Sequence, residues 1–476
     1  MTVSFTATDG TGVKEIVYSV NGGTDVVTSG ASANAVISDE GVHNVSYFAT
    51  DNAGNSSTPA SVSVKIDKTA PVMSGSRSPG GNTYGWNNTP VLVTFVCNDE
   101  VGGSGVDSVT DPVTVSAEGE NQSEDGNCTD KAGNGDSATV GSISIDNTDP
   151  VISGSRSPGA NTYGWNNTPV LVTFVCNDEV GGSGVDSVTG PVTGSAEGEN
   201  QSEEGNCTDK AGNGDSATVG SISIDNTDPV ITAPVNQVVN ATSAAGAVVS
   251  FNVSADFTIS GSVSLDSSPA DGSTFAVGDT TVTHTAVDQA GNSSSSTHQV
   301  TVLGAQGLSA RAVAALTPFD GESKKIDKAI KEINKSMEKG FIDETHLDPK
   351  EGKKVFDHGK RAVKELQHVL KDEAKGKDNV SSAAAAAARQ AIGDVVTADR
   401  LLARVQIETA QGATVVDPKN QAKVTKEIAK ALTVLAKGDD KRSSGKYDKA
   451  MDDYKKAWEH TVHAMKEAEK PAKGKK

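Results

Sequence analysis

The residues of this chain best placed for covalent chemistry are four cysteines, set in two pairs at one spacing. Cys97 and Cys128 stand 31 residues apart, and so do Cys176 and Cys207. A zinc site would need more thiols or imidazoles at ligand spacing, and the segments around these pairs hold no histidine. Where neighbouring segments lack the cysteines they lack both together, with Ala7 and Ala49 in one and Val253 and Ala286 in another. That pattern predicts a disulfide within each pair, and with it an oxidising compartment. A second set offers hard oxygen ligands of the kind calcium takes: Asp130, Asn134 and Asp136, repeated as Asp209, Asn213 and Asp215, with Asp99, Glu100 and Asp107 as candidates nearby. The same residues also serve turns, and no twelve-residue loop closed by a glutamate accompanies them. A third candidate is aromatic. Trp86 and Trp165, each in a Tyr-Gly-Trp-Asn-Asn run, either stack on a sugar or pack over the end of a domain. Glu365 and His368 have the spacing used by di-iron bundles, but the required second Glu-x-x-His is missing. His460 and His463 face solvent on the simplest reading. Neither a His-Glu-x-x-His, a Gly-x-Ser-x-Gly nor a phosphate-binding glycine loop occurs. The chain is therefore expected not to be an enzyme and to need no cofactor, with calcium the one candidate ligand its acidic residues leave open.

The element that must position these groups is a turn. Asp51-Asn-Ala-Gly-Asn55 recurs at Asp130, Asp209 and Asp288, each copy 79 residues after the last, and a fixed period of this kind marks a repeat array. Glycine reaches positive φ without steric cost, while Asp and Asn bond their own backbone, so each copy predicts a β-hairpin. Residues 71–149 and 150–228 differ at only five positions, at 73, 81, 111, 115 and 125 of the first copy. Within them Val91-Leu-Val-Thr-Phe-Val-Cys97 alternates as a core strand does. Residues 1–70 form a shorter unit that lacks roughly twenty residues found at the start of the next, so the chain is expected to be cut from a longer one.

The run Cys97-Asn-Asp99, Gly103-Ser-Gly-Val106, Glu118-Gly-Glu-Asn-Gln122, Asp130-Lys-Ala-Gly-Asn134 and Ile145-Asp-x-Thr-x-Pro150 resembles the bacterial immunoglobulin-like repeats of secreted and surface proteins. The unit at 229–304 is similar to a hyalin-type (HYR) repeat through Ala233-Pro-Val-Asn-Gln237, Ser267-Ser-Pro269, Gly272-Ser-Thr-Phe275 and Thr280-Thr-Val-Thr283. These resemblances imply tandem all-β immunoglobulin-like sandwiches at 1–70, 71–149, 150–228 and 229–304. They also imply extracellular modules of adhesive or structural proteins.

Beyond residue 304 the texture changes. Residues 1–304 carry 35 acidic and 7 basic side chains, net −28, whereas 305–476 carry 27 and 35, net +8. The acidic part would repel nucleic acid. After a linker at 305–317, apolar residues recur at helical spacing, predicting five helices and an all-α helical bundle over 318–470, with a basic tail at 471–476. Expected helix starts are Asp348-Pro349, about Asn379, and Asp417-Pro418; expected stops are Gly340 and Gly438. This part resembles an uncharacterised helical module found behind secreted repeats, through Asp343-Glu-Thr-His-Leu-Asp-Pro349 and Tyr447-Asp-Lys-Ala-Met451. No apolar run is long enough for a transmembrane segment. The expected function is a non-catalytic extracellular or cell-surface protein, a rod of repeats presenting the bundle, with a surface glycan or a protein as partner. The rival is a set of accessory, carbohydrate-binding modules of a larger secreted hydrolase.

Overall fold

A computed structural model of the chain describes residues 1–376 and 380–471. It divides into two compact units, residues 1–160 with 168–224, and 161–167 with 225–476. The first holds three β-sandwiches.

In the second sandwich one sheet runs Val113–Val115, Val91–Asn98, Val72–Ser78, and the other Val106–Val109, Gly119–Asp130, Gly135–Ile145, Trp86–Asn87. The alternation read from the sequence is the pleat. Val91, Val93 and Phe95 point inward and are almost fully buried, while Leu92 and Val96 are exposed on the opposite face. They meet Met73, Val115, Val140, Ile143 and Ile145 in a small core. Cys97 lies on the first sheet and Cys128 on the second, so their bridge crosses the sandwich, with 6.2 Å between Cα atoms. Cys176–Cys207 does the same in the third repeat, at 6.1 Å. The expected pairing thus holds, and it ties two sheets whose shared core is otherwise slight.

The repeated pentapeptide is a hairpin turn in all four places. Asp130 Oδ1 accepts from the amides of Ala132 (2.8 Å) and Asn134 (2.9 Å), and Oδ2 accepts from Asn134 Nδ2 at 2.7 Å. Gly133 sits at φ 98°, which a side chain would resist. The carboxylates of Asp51, Asp209 and Asp288 are engaged in the same way by Asn55, Asn213 and Asn292.

The second unit joins a sandwich to helices. Its main sheet runs Gln237–Asn240, Ser293–Leu303, Gly278–Asp288, Ser262–Ser268. The helices are α1 (Ala305–Leu316), α2 (Lys324–Glu338), α3 (Gly352–Glu373), α4 (Ser382–Gly412), α5 (Gln421–Ser443) and α6 (Tyr447–Ala468). Two expectations are corrected here. Residues 305–317 are no linker: α1 begins two residues after the last strand and buries Ala305, Leu308, Ala312 and Leu316, a helical stripe that its glycine and polar neighbours disguised. The helices therefore number six among the described residues. Second, α5 passes through Gly438 instead of stopping there, because the missing Cβ admits the Tyr454 ring, which would lie 2.5 Å from that atom. Helix α4 begins at Ser382, capped by Ser381; the expected start at about Asn379 falls outside the described residues, as does the tail from 472 on. One core runs from Val282, Val300 and Val302 of the sandwich through α1 into the helices. Arg311 of α1 reinforces it, meeting Asp394 of α4 at 2.5 Å and Asn240 of the sheet at 3.2 Å.

Candidate metal centres at the joints between repeats

Each repeat leaves through Ile-Asp-x-Thr, and the aspartate of that exit is where the next repeat takes hold. Asp67 Oδ2 accepts from the Ser104 amide at 2.6 Å, and the Asp67 carbonyl accepts from Asn134 Nδ2 at 3.2 Å. Ser104 and Asn134 belong to the Gly-Ser-Gly break and the hairpin turn of the following sandwich. The arrangement recurs 79 residues on, Asp146 with Ser183 (2.6 Å) and Asn213 (2.9 Å). It recurs again inside the second unit, Asp225 with Ser260 (2.9 Å) and Asn292 (2.8 Å).

At two of these joints three carboxylates converge. Oxygens of Asp67, Asp99 and Asp130 lie within 4.8 Å of one another, as do those of Asp146, Asp178 and Asp209. Asp99 Oδ2 accepts from Gly105 N and Asp178 Oδ2 from Gly184 N, both at 2.6 Å, while the Oδ1 atom of each is buried without a hydrogen bond. Like charges crowd here. Against a hydrogen bond from its own amide, the Asp99 side chain, partial desolvation and the charges of Asp67 and Asp99 push Glu100 up to about 7. Burial, with Asp178 and Asp146, likewise pushes Glu179 up to about 7. Asp67 is held below the ordinary carboxylate range by hydrogen bonds from the Ser104 side chain and amide; Asp146, which burial alone would raise, is held low by Ser183. Among the described residues no third carboxylate groups with Asp225 and Asp288.

The calcium set expected from sequence is thus regrouped. Asp130 and Asp209 belong to the clusters. Asn134 and Asn213 spend their amide groups as donors to the turn and to the exit carbonyl. Asp136 and Asp215 point elsewhere, accepting from the amides of Met73 (2.8 Å) and Ile152 (3.3 Å) to fasten the opening strand of their own repeat. Asp67 and Asp146 were missed because each lies in the preceding repeat. The signal was the recurrence of an exit aspartate at 67, 146 and 225.

The aromatic loops are also joints. Asn82 orders its loop by accepting from Tyr84 N and Trp86 N, then donates from Nδ2 to the carbonyls of Lys210 (2.7 Å) and Ala211 (3.3 Å) in the next repeat's turn. Tyr84 Oη donates to Asp186 at 2.5 Å. Asn161 bonds Gln289 and Ala290 in the same manner. Trp165 is buried, 7% exposed, and Trp86 is half-buried, so neither offers the open ring face that sugar stacking needs. In the helices, His368 and His463 are exposed, and His460 is taken by Glu427 at 2.7 Å. No helix among the described residues is long and apolar enough to cross a membrane.

Sequence comparison matches the HYR domain family to residues 224–302. No curated protein matches the chain. Among solved structures, it is similar to the protocadherin γB4 extracellular domain, at 14% identity over 63% of this chain and 60% of that one, TM-score 0.26. The chain thus spans less than two thirds of that protein. It is similar also to a tetra-tandem repeat from the extending region of a large adhesion protein (18% identity, 63% and 94%, TM-score 0.23) and to fibronectin(III)-like modules of Clostridium thermocellum CbhA (16%, 30% and 86%, TM-score 0.19).

Proposed function

We propose that this chain is a non-catalytic, adhesion-type structural protein of the cell exterior, whose sandwiches act as spacer modules joined in series. The observation that carries the reading is the joint. An exit aspartate, the serine of a Ser-Gly break (Ser104, Ser183 or Ser260) and a turn asparagine make one hydrogen-bonded clasp three times over, which serves transmission of position from module to module and serves no reaction. The two inter-sheet disulfides and the HYR match at 224–302 support an exported location.

Calcium is the cation these joints suit. The donors are all carboxylate oxygens, two of them buried and unsatisfied, which is hard-ligand chemistry. Asp67, Asp99 and Asp130 would hold one ion and Asp146, Asp178 and Asp209 another, neutralising the crowding that raises Glu100 and Glu179. The test is a host cell displaying the chain, assayed for retention under flow on glycan- and protein-coated surfaces, with calcium and with chelator. Retention on at least one coating, reduced by chelator, is expected. Equal retention with and without the displayed chain on every coating overturns the adhesive reading; a thermal transition unmoved by chelator overturns the calcium sites alone.

A further inference from the structure

The helices carry a surface whose chemistry the repeats lack. Between α5 and α6 runs a groove of about 470 Å³, walled by Lys423, Lys426 and Lys430 on one side and Lys466 and Lys470 on the other. Two glutamates lie in it, and both are already engaged. Glu427 holds Lys430 and His460, each at 2.7 Å, and Glu467 holds Lys470 and, at 3.8 Å, Lys423. Lys426 and Lys466 have no carboxylate within 4.0 Å among the described residues, and both are exposed. A second hollow continues along α5, where Lys437 and His460 join Lys426 and Lys430. From Lys423 to Lys437 the stripe covers about 21 Å of helix at the rise of 1.5 Å per residue.

We propose that this groove binds a linear anionic polysaccharide, one bearing sulfate or carboxylate groups along a narrow chain. Three observations fix the class. The walls are lysines, compact point charges with mobile stems that follow a polymer's charges without demanding one planar geometry. The groove has no aromatic wall on which a neutral sugar would stack and no large apolar rim to enter a bilayer. It is an open hollow running between two helices, which a thread of anionic groups can follow along its length. The net charge of −28 over residues 1–304 repels the same polymer, which confines binding to the helical end. This assignment goes beyond the spacer reading and does not depend on it: the groove either binds or fails to bind whatever the repeats do.

The test uses the full chain and fluorescein-labelled heparin as probe, followed by polarisation at low and at physiological salt. Binding that weakens as salt rises is expected, with none to neutral dextran. Lys426→Glu with Lys466→Glu lowers affinity by about tenfold or more. Lys324→Glu with Lys328→Glu, the same charge change on exposed positions of α2, leaves it within about twofold. Lys426→Arg with Lys466→Arg retains binding, which separates lost charge from lost folding. No binding of heparin overturns the proposal. Equal weakening by both glutamate pairs overturns it too, since the attraction would then be diffuse. So does tighter, equally lysine-dependent binding to phosphatidylserine vesicles, which assigns the face to a membrane, or salt-sensitive dimerisation abolished by the Lys426/Lys466 change, which assigns it to a second copy.

Discussion

Reduction of the two bridges should change how the second and third repeats yield to force, by an amount fixed by where the cysteines sit. Each bridge closes a loop of 31 residues. Loop-closure entropy makes it worth about 3.7 kcal/mol to its repeat, a large share of what a domain of this size can muster. The mechanical consequence is sharper. With the chain tethered by its two ends, residues between Cys97 and Cys128 never feel tension while the bridge holds, because load passes through the sulfurs. At about 3.5 Å per extended residue, the withheld length is about 110 Å in each bridged repeat. Single-molecule pulling without reductant should therefore show two unfolding steps about 110 Å shorter than the same steps in dithiothreitol, and at higher force. The first and fourth sandwiches, with alanine at 7 and 49 and Val253 and Ala286 at the matching places, should not change. Identical step lengths with and without reductant would refute the inter-sheet bridge and the argument for an oxidising compartment built on it.

Acid should weaken the fourth sandwich. His284 and His298 are buried neutral in its core, linked Ser267–His284–His298 at 2.8 and 2.9 Å, and burial holds both below the ordinary imidazole value. Protons therefore bind the unfolded state better: stability is intact above pH 6.5 and falls below it, by up to about 3 kcal/mol for the pair at pH 5.5; a melt of residues 225–302 monitored by hydrogen exchange that is flat from pH 7.5 to 5.5 would contradict this. In the helices, Asp399 is fully buried with one oxygen unbonded, and burial first, then Asp357, pushes its carboxyl far up against the pull of Lys455. Ionisation there works against folding as pH rises, so Asp399→Asn should raise the thermal midpoint at pH 8 more than at pH 5; a lowered midpoint at both would mean the carboxyl is needed. Gly438→Ala should cost about 1–3 kcal/mol by driving a methyl into Tyr454, read by urea melts of the helical signal, and no loss would mean α5 and α6 shift apart freely.

The repeats were legible because their signals are local and periodic. The Asp130 turn and the Val91–Cys97 pleat each state their structure within a few residues and the paired thiols within a single repeat, and the 79-residue spacing multiplies each statement. What escaped was whatever needs two repeats at once. Asp67 reads as the end of one sandwich, and only its carboxylate beside Ser104 of the next reveals a joint. Asn82 and Tyr84 read as an aromatic surface loop for the same reason, since Lys210 and Asp186 lie more than a hundred residues away. Gly438 shows the complementary error. Glycine is both a helix stop and a point of close approach, and which one applies depends on Tyr454 arriving from α6.

A sandwich of fewer than eighty residues cannot bury much, and these repeats meet that shortage in three different ways. The second and third cross-link their sheets. The first, with Ala7 and Ala49 at the thiol positions, sets the Phe5 ring against Tyr18 and Tyr47, at centroid distances of 5.4 and 4.9 Å, so aromatic contact adds to its core. The fourth has no bridge; it sets the Phe251 ring against His284 and His298, at centroid distances of 5.5 and 5.0 Å, and beyond that extends its core: Val300 and Val302 share one cluster with Leu308 and Leu316, and Arg311 ties sheet to α4. It follows that the fourth sandwich and the helices are one cooperative body, whereas repeats two and three carry their stability within themselves. Cutting the chain at residue 304 would remove Leu308, Ala312 and Leu316 from that shared core, and the isolated fourth sandwich would lose the partner that α1 supplies.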